Sequence, residues 1–303
     1  MPRVLVAGWS SVLHGEATAG DVLAMRTVER TLRTSGIRHD TAWSRVMCPP
    51  DGLALDDADP LEYSHLVFVC GPATGEAVLD LHERFAHCTR IAVGVSVLDP
   101  ADPAVARFHR VIPRDHPDVE PRPDLAAVAP QRSASGTPVL GVLLTGGQRE
   151  YGARRRHEAV TDAVRPWLDG LDAGLLDLDT RLDPRDWRLA SSPEQLHAVL
   201  TRLDAVVSMR MHGLVLGLKA AVPVVALDPV AGGGKVTAQA RALDWPAVLG
   251  AEDLTRAALD RSLAWCLSGP GRALARDVSE RMDDPDGVVA GQLAELTDAI
   301  HGS

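Results

Sequence analysis

Lysine is nearly missing from this chain. Of its 31 basic residues only Lys219 and Lys235 are lysines. With abundant Ala, Asp, Gly and Pro, the arginine excess reads as the codon bias of a GC-rich bacterial genome, so a lysine carries more information than an arginine. Basic residues are also outnumbered, 31 against 41 acidic ones, for a net charge of -10. That excludes an extended nucleic-acid-binding surface, which needs clustered cations to displace counterions from phosphates. A local basic pocket for a small anion is still compatible with it. Cysteine is scarce: Cys48, Cys70, Cys88 and Cys266 form no Cys-x-x-C and no zinc-type spacing with histidine. Neither a disulfide scaffold nor a metal site is expected. Long apolar runs are lacking too. The longest, Leu203 to Leu227, is broken by Asp204, Arg210, His212 and Lys219, so no membrane span is expected. The run Val4 to Gly8 is too short for a signal peptide, and a cytoplasmic location is expected.

What remains is the balance of a globular protein, 46% hydrophobic and 24% charged over 303 residues. Short apolar runs alternate with helical patterns. Strands are expected at Val4 to Ala7, Leu66 to Cys70 and Ile91 to Val97, with Cys70 a buried core thiol. A Gly-rich loop is expected from Gly8 to Gly20, then a helix from Asp21, its N-cap, to Thr34, with Gly36 near the C-cap. Another helix is expected from Gly75 to Ala86. Continuously apolar strands between helices predict a parallel sheet covered on both faces.

From Val119 to Pro138 the chain turns Pro- and Ser-rich, which predicts a linker between an amino-terminal α/β domain, 1–125, and a carboxy-terminal one, 137–303. The second half repeats the rhythm. Strands are expected at Val139 to Leu144, Gly174 to Leu178, Ala205 to Ser208 and Val222 to Leu227. Helices are expected at Arg154 to Leu168, Pro193 to Leu203 and His212 to Ala220, with a helical tail. The last helix is expected to pack back on the first domain. Two such domains would form a cleft between the carboxyl edges of their sheets, where ligands meet helix N-termini.

Two stretches carry chemistry. In Ser208-Met209-Arg210-Met211-His212-Gly213 a strand runs into a helix, which puts Arg210 and His212 in the turn where free N–H groups can converge on an anion. Gly213 and Gly217 would let backbone approach closely at the helix start. Further on, Gly232-Gly233-Gly234-Lys235 reads as a flexible loop offering N–H groups and one ammonium to an oxyanion. It is not a P-loop, since Val230 and Val236 break the spacing.

The order Arg210-Met211-His212-Gly213, Ala221-Val222-Pro223, Asp228, Lys235-Val236 resembles the polysaccharide pyruvyltransferase family. Gly8 and Gly20-Asp21 are similar to its amino-terminal Gly-rich loop, although Thr18 stands where Asn is usual and the loop, with Ser10, Ser11, His14 and Glu16, is longer. Val111-Ile112-Pro113-Arg114-Asp115 is similar to a third family element, a strand ending in Arg-Asp/Glu.

The resemblance implies two Rossmann-like domains in a GT-B-like fold with the active site in the interdomain cleft. It implies transfer of the enolpyruvyl skeleton of phosphoenolpyruvate onto two sugar hydroxyls, giving a pyruvyl ketal and phosphate without a cofactor. His212 would be the general acid that protonates the methylene carbon. Arg210, Arg114, Lys235 and the backbone of Gly213, Gly233 and Gly234 would hold carboxylate and phosphate, with Arg149 facing the same cleft. Asp21, or Glu16, would accept a proton from the acceptor hydroxyl. The expected partners are phosphoenolpyruvate and a sugar or glycoside acceptor, and a homo-oligomer is compatible with the sequence. Two other readings stay open: a GT-B glycosyltransferase using a nucleotide sugar, and a non-catalytic sugar- or anion-binding relative.

Overall fold

The computed structural model describes residues 2–12, 17–129, 136–146, 149–284 and 290–301, without the side chains of residues 149, 150, 290 and 292. The chain divides into two compact units, Met1–Ser133 and Ala134–Ser303. Each is an α/β unit of Rossmann type built on a parallel sheet.

The first unit runs β1 (Arg3–Gly8), α1 (Trp9–Val12), α2 (Ala19–Thr34), β2 (Arg38–Trp43), β3 (Leu53–Ala54), β4 (His65–Val69), α3 (Glu76–Arg84), β5 (Thr89–Ser96), α4 (Pro103–Ala106) and β6 (Arg110–Asp115). The sheet order is β3-β2-β1-β4-β5-β6. Successive strands thus build outward from β1 in one direction and then, from β4, in the other, which leaves a switch point between β1 and β4. The apolar strands β1 and β4 are buried almost throughout. By contrast β2 carries Arg38, His39, Asp40 and Thr41, and no apolar run announces it.

The Gly8–Gly20 segment is not one loop, because α1 occupies Trp9–Val12 and α2 begins at Ala19. Asp21 is not the N-cap of α2. Thr18 is, accepting a hydrogen bond from Asp21 N at 3.3 Å, while the Asp21 carboxylate accepts from Thr18 N at 2.8 Å and Thr18 Oγ1 at 2.9 Å. This reciprocal capping box satisfies two otherwise free donors. Gly36, at φ 68°, follows the helix in the left-handed region, where glycine costs least. Part of the Pro-rich segment is also structured. The turn Leu125–Val128 sits on α2 through Thr27 Oγ1 to Leu125 O, 2.9 Å, and Arg30 Nη2 to Val128 O, 2.8 Å.

The second unit runs β7 (Val139–Leu143), α5 (His157–Asp169), β8 (Gly174–Asp177), α6 (Pro193–Leu200), β9 (Ala205–Ser208), α7 (Met211–Lys219), β10 (Val224–Asp228), α8 (Lys235–Ala242), β11 (Val248–Gly250), α9 (Arg256–Leu267), α10 (Gly269–Asp283) and α11 (Ala290–His301). Its order is β11-β10-β9-β7-β8, with the switch point between β7 and β9. Buried Trp167 and Trp245 place their indole N–H groups on Asp260 Oδ1 at 2.8 Å and Val224 O at 2.6 Å. No helix among the described residues is long and apolar enough to cross a membrane.

Gly213 and Gly217 serve packing rather than ligand approach. A Cβ at Gly217 would lie 2.6 Å from Val224 Cγ2, and one at Gly213 would collide with Ser208 Oγ. Both glycines therefore let α7 lie close against its own sheet. Lys219 ends α7, where a cation complements the helix dipole, and it pairs with Asp283 at 2.7 Å.

Candidate functional site

Ser208, fully buried at the end of β9, ties the turn into α7 with one hydroxyl. Its Oγ accepts from Arg210 N at 3.0 Å and donates to Arg210 O at 3.0 Å. Arg210 becomes the N-cap of α7 without capping through its side chain. Among the described residues the guanidinium pairs only with Asp179, Nη2 to Oδ1 at 3.5 Å, and its buried Nε has no hydrogen-bond partner. Burial alone would raise the Asp179 carboxyl. The Arg181 N–H at 2.9 Å, the Arg181 Nε at 2.7 Å and the charge of Arg210 outweigh it and hold that carboxyl below its ordinary range. Asp179 is therefore shared with Arg181, and much of the charge of Arg210 is left to act elsewhere. His212 follows as the second residue of α7, exposed.

The triglycine segment is not a swinging loop. Asp228, 1% exposed at the end of β10, accepts from Val230 N at 3.0 Å with Oδ1, and from Gly234 N at 2.7 Å and Thr237 N at 2.8 Å with Oδ2. A carboxylate at a helix start satisfies free N–H groups and suits the dipole. From the other side Arg154 donates Nε to Ala231 O at 3.1 Å and Nη2 to Gly233 O at 2.6 Å. Gly233 N goes to Val230 O at 2.9 Å. The N–H groups of Gly233 and Gly234, expected to face a ligand, are thus spent inside the turn. Gly232 and Gly233, at φ 73° and 90°, are where glycine is required. Lys235 is the first residue of α8, a helix the sequence reading passes over, with its ammonium 6.0 Å from the Tyr151 ring centroid.

These pieces meet at one cavity of about 150 Å³ beside the switch point of the second unit, lined by Arg210, His212, Lys235, His157, Tyr151 and Asp228 among others. The first residues of α5, α7 and α8, namely His157, Met211 and Lys235, all line it. Three positive helix ends and two cationic side chains on so small a space suit a small anion electrostatically. The cavity lies below the usual range for drug-sized ligands. His157, 2% exposed, and Asp179 went unnoticed in the sequence. A histidine at a helix start and an Asp two residues past a short strand carry no motif of their own.

Arg114 and Asp21 do not line this cavity. They line one of about 420 Å³ in the first unit, at the β1/β4 switch point, with Trp9, Cys70 and Asp124. Arg114 is committed there. Nε meets Asp115 at 2.8 Å, Nη1 meets Asp124 at 2.5 Å and Nη2 donates to Ser96 Oγ at 2.6 Å. Those carboxylates raise its pKa and compensate its charge in place. Asp21 Oδ2 holds Thr18. Arg149 opens the short turn Arg149–Arg154, and its side chain lies outside the described residues, as do His14 and Glu16.

No curated protein matches the chain. Similar solved structures include the calicheamicin glycosyltransferase CalG4, at 15% identity over 99% of this chain and 98% of that one, TM-score 0.36. The spinosyn rhamnosyltransferase SpnG is similar at 13% identity over 98% of this chain and 100% of that one, TM-score 0.37. The UDP-GlcNAc 2-epimerase of Methanocaldococcus jannaschii is similar at 9% identity over 92% of this chain and 98% of that one, TM-score 0.30. The model of the polysaccharide pyruvyl transferase family matches residues 150–229, the stretch that carries Tyr151, His157, Asp179, Arg210, His212 and Asp228.

Proposed function

We propose that the chain is a pyruvyltransferase that uses phosphoenolpyruvate and a sugar acceptor. The observation that carries this reading is the small cavity on which Arg210, Lys235, His212 and three helix N-termini converge, inside the stretch matched by the family model or just past it. Phosphoenolpyruvate is a three-carbon acid with a carboxylate and a phosphate. Arg210 offers a planar fork to one of them, and Lys235 a compact ammonium at the rim to the other.

In this reading His212 gives a proton to C3 of the donor, which becomes a methyl group, and C2 becomes electrophilic. One acceptor hydroxyl adds to C2 as its O–H proton is removed. The second hydroxyl forms the other C2–O bond, the C2–O bond to phosphate breaks, and phosphate leaves. Of the two hydroxyl protons, one replaces that given to C3 and one leaves with phosphate. Charge growing on the phosphate is met by Arg210, Lys235 and the fixed helix dipoles.

The test is phosphate release from phosphoenolpyruvate with a panel of methyl glycosides, with mass spectrometry for the pyruvyl ketal. Donor-dependent phosphate release together with a ketal product is expected. Binding of a nucleoside diphosphate with no response to phosphoenolpyruvate would overturn the reading in favour of a nucleotide-sugar glycosyltransferase. Donor binding without phosphate release across the panel would favour a non-catalytic anion-binding protein.

A further inference from the structure

Of the six tryptophans, Trp167, Trp245 and Trp265 belong to or pack against the core of the second unit, and Trp9 against that of the first. Trp187 is 92% exposed. Trp43 does neither. It ends β2, half-buried and outside every hydrophobic cluster, while its neighbour Ala42 is fully buried in the core. Its indole lines a cavity of about 440 Å³ beyond the carboxyl ends of β2 and β3.

The walls are chemically mixed. Leu55 and Leu81, both core residues, supply apolar floor, while Ser44, Arg45, Asp56, Asp80 and Arg84 supply polar groups. The arginines are spent on shaping the rim. Arg84 Nη2 donates to Asp56 O at 3.2 Å and Ala58 O at 2.7 Å, and Arg45 pairs with Asp56 at 3.2 Å and Asp57 at 2.9 Å. Two acceptors are left over. Asp80 is exposed and makes no hydrogen bond or ion pair among the described residues. Ser44 is 8% exposed, and its buried Oγ has no partner among them.

Arginines and aspartates balance around the opening, so the cavity selects for neither sign of ion. It combines an aromatic face, a free carboxylate with two oxygens and a volume in the ordinary small-ligand range. We propose that it is a saccharide-binding pocket that takes a neutral hexopyranoside. The C–H face of the ring lies on the Trp43 indole, and two neighbouring hydroxyls donate to the Asp80 carboxylate. The proposal rests on the cavity's own lining and is tested without donor.

The full chain is titrated with methyl α-D-glucopyranoside, methyl β-D-galactopyranoside and methyl N-acetyl-β-D-glucosaminide, read by saturation-transfer NMR and tryptophan fluorescence. Saturable binding of at least one is expected. Trp43→Ala should weaken it about tenfold, the scale of an aromatic contact. Asp80→Asn touches no structural contact and so keeps the test open should Trp43→Ala fail to fold. It should weaken binding severalfold. Trp187→Ala should leave it unchanged. No saturable binding of any of the three, or equal affinity in wild type and Asp80→Asn, would overturn the proposal.

Discussion

Arg114 and Arg210 stand at the carboxyl edge of parallel sheets in the two units, and they differ in what is left of their charge. Arg114 sits between Asp115 and Asp124 with a serine on its third nitrogen, so its guanidinium is compensated in place. Among the described residues Arg210 has one ion pair, at 3.5 Å to an aspartate shared with Arg181, and its Nε has no partner. The lesson is that an arginine at a strand end has charge to offer an anion only when its carboxylates are elsewhere. The same contrast holds for acids. Asp228 is consumed by three backbone N–H groups and steadies the second unit's site, whereas Asp21 steadies a helix cap.

The comparison breaks most sharply at His212, whose exposed ring has no counterpart among the described residues that line the first unit's cavity. His212→Gln should keep the fold and donor affinity while turnover falls by about 10² to 10⁴, the range for loss of a general acid. Single-turnover rates with donor and acceptor measure it, and a wild-type rate would remove His212 from the chemistry.

Exchanging the two arginines for methionine tests the contrast itself. Arg210→Met should weaken phosphoenolpyruvate binding by about tenfold to a hundredfold, since charged hydrogen bonds are lost, with a small change in melting temperature. Arg114→Met should do the reverse. Donor affinity stays, while stability falls by about 1 kcal/mol because Asp115 and Asp124 lose their partner at a partly exposed site. Calorimetric titration and thermal melts of both variants separate the two, and loss of donor binding in Arg114→Met would restore it to the anion site.

Lys235 is the subtler case. It is exposed at the first turn of α8 and makes no ion pair among the described residues, only the aromatic contact with Tyr151. Lys235→Met should weaken donor binding about tenfold and alter stability by less than about 0.5 kcal/mol. Lys235→Arg should recover part of the loss, because a planar fork replaces a compact ammonium. Because Asp228 and Arg154 pin the turn, the variant should affect affinity without changing protease sensitivity around Gly232. New cleavage there would show that the lysine itself holds the loop.

The legible part of the fold was its apolar strands. β1, β4, β5 and β9 are runs that only burial explains, and their alternation with helices announced two parallel sheets. The polar strand β2 was silent, since Arg38 and Asp40 face water at that position or pair with neighbours. Helix α8 was hidden by the three glycines before it, which read as mobility while the signal that fixes them, Asp228, lies six residues upstream of Gly234. Of the site, Arg210, His212 and Lys235 were readable because they stand within one motif. His157 reaches the cavity from the start of α5 and Asp179 reaches its arginine from beyond the end of β8, and such convergence is a property of topology rather than of spacing.

The smallest effect separates the units by pH. His82 in the first unit is 3% exposed, with Nε2 2.8 Å from Ala104 O and its ring against Phe108 at 4.4 Å. Burial, and the nearby positive charges of Arg90 and Arg107, lower its pKa below the ordinary 6.5, against the opposing pull of the Ala104 carbonyl. In the unfolded chain the same ring takes a proton near pH 6.5. Its contribution is therefore present above that pH and is lost as pH falls beneath it toward the depressed folded value. Between pH 7.5 and 5.5 the first unit should lose at most about 1.4 kcal/mol from this ring, the limit set by its unfolded value alone. His82→Gln should lower stability at pH 7.5 through lost packing yet flatten the decline between the two pH values. Hydrogen exchange read by mass spectrometry locates the effect. Faster exchange at pH 5.5, corrected for intrinsic rate, is expected around Glu76–Arg84 and Pro103–Ala106, the helices that hold the ring between them. An equal acid response in His82→Gln would assign the decline to carboxylates instead, and Asp102, whose pKa is lowered chiefly by its hydrogen bond from Thr74, would be the next group to replace.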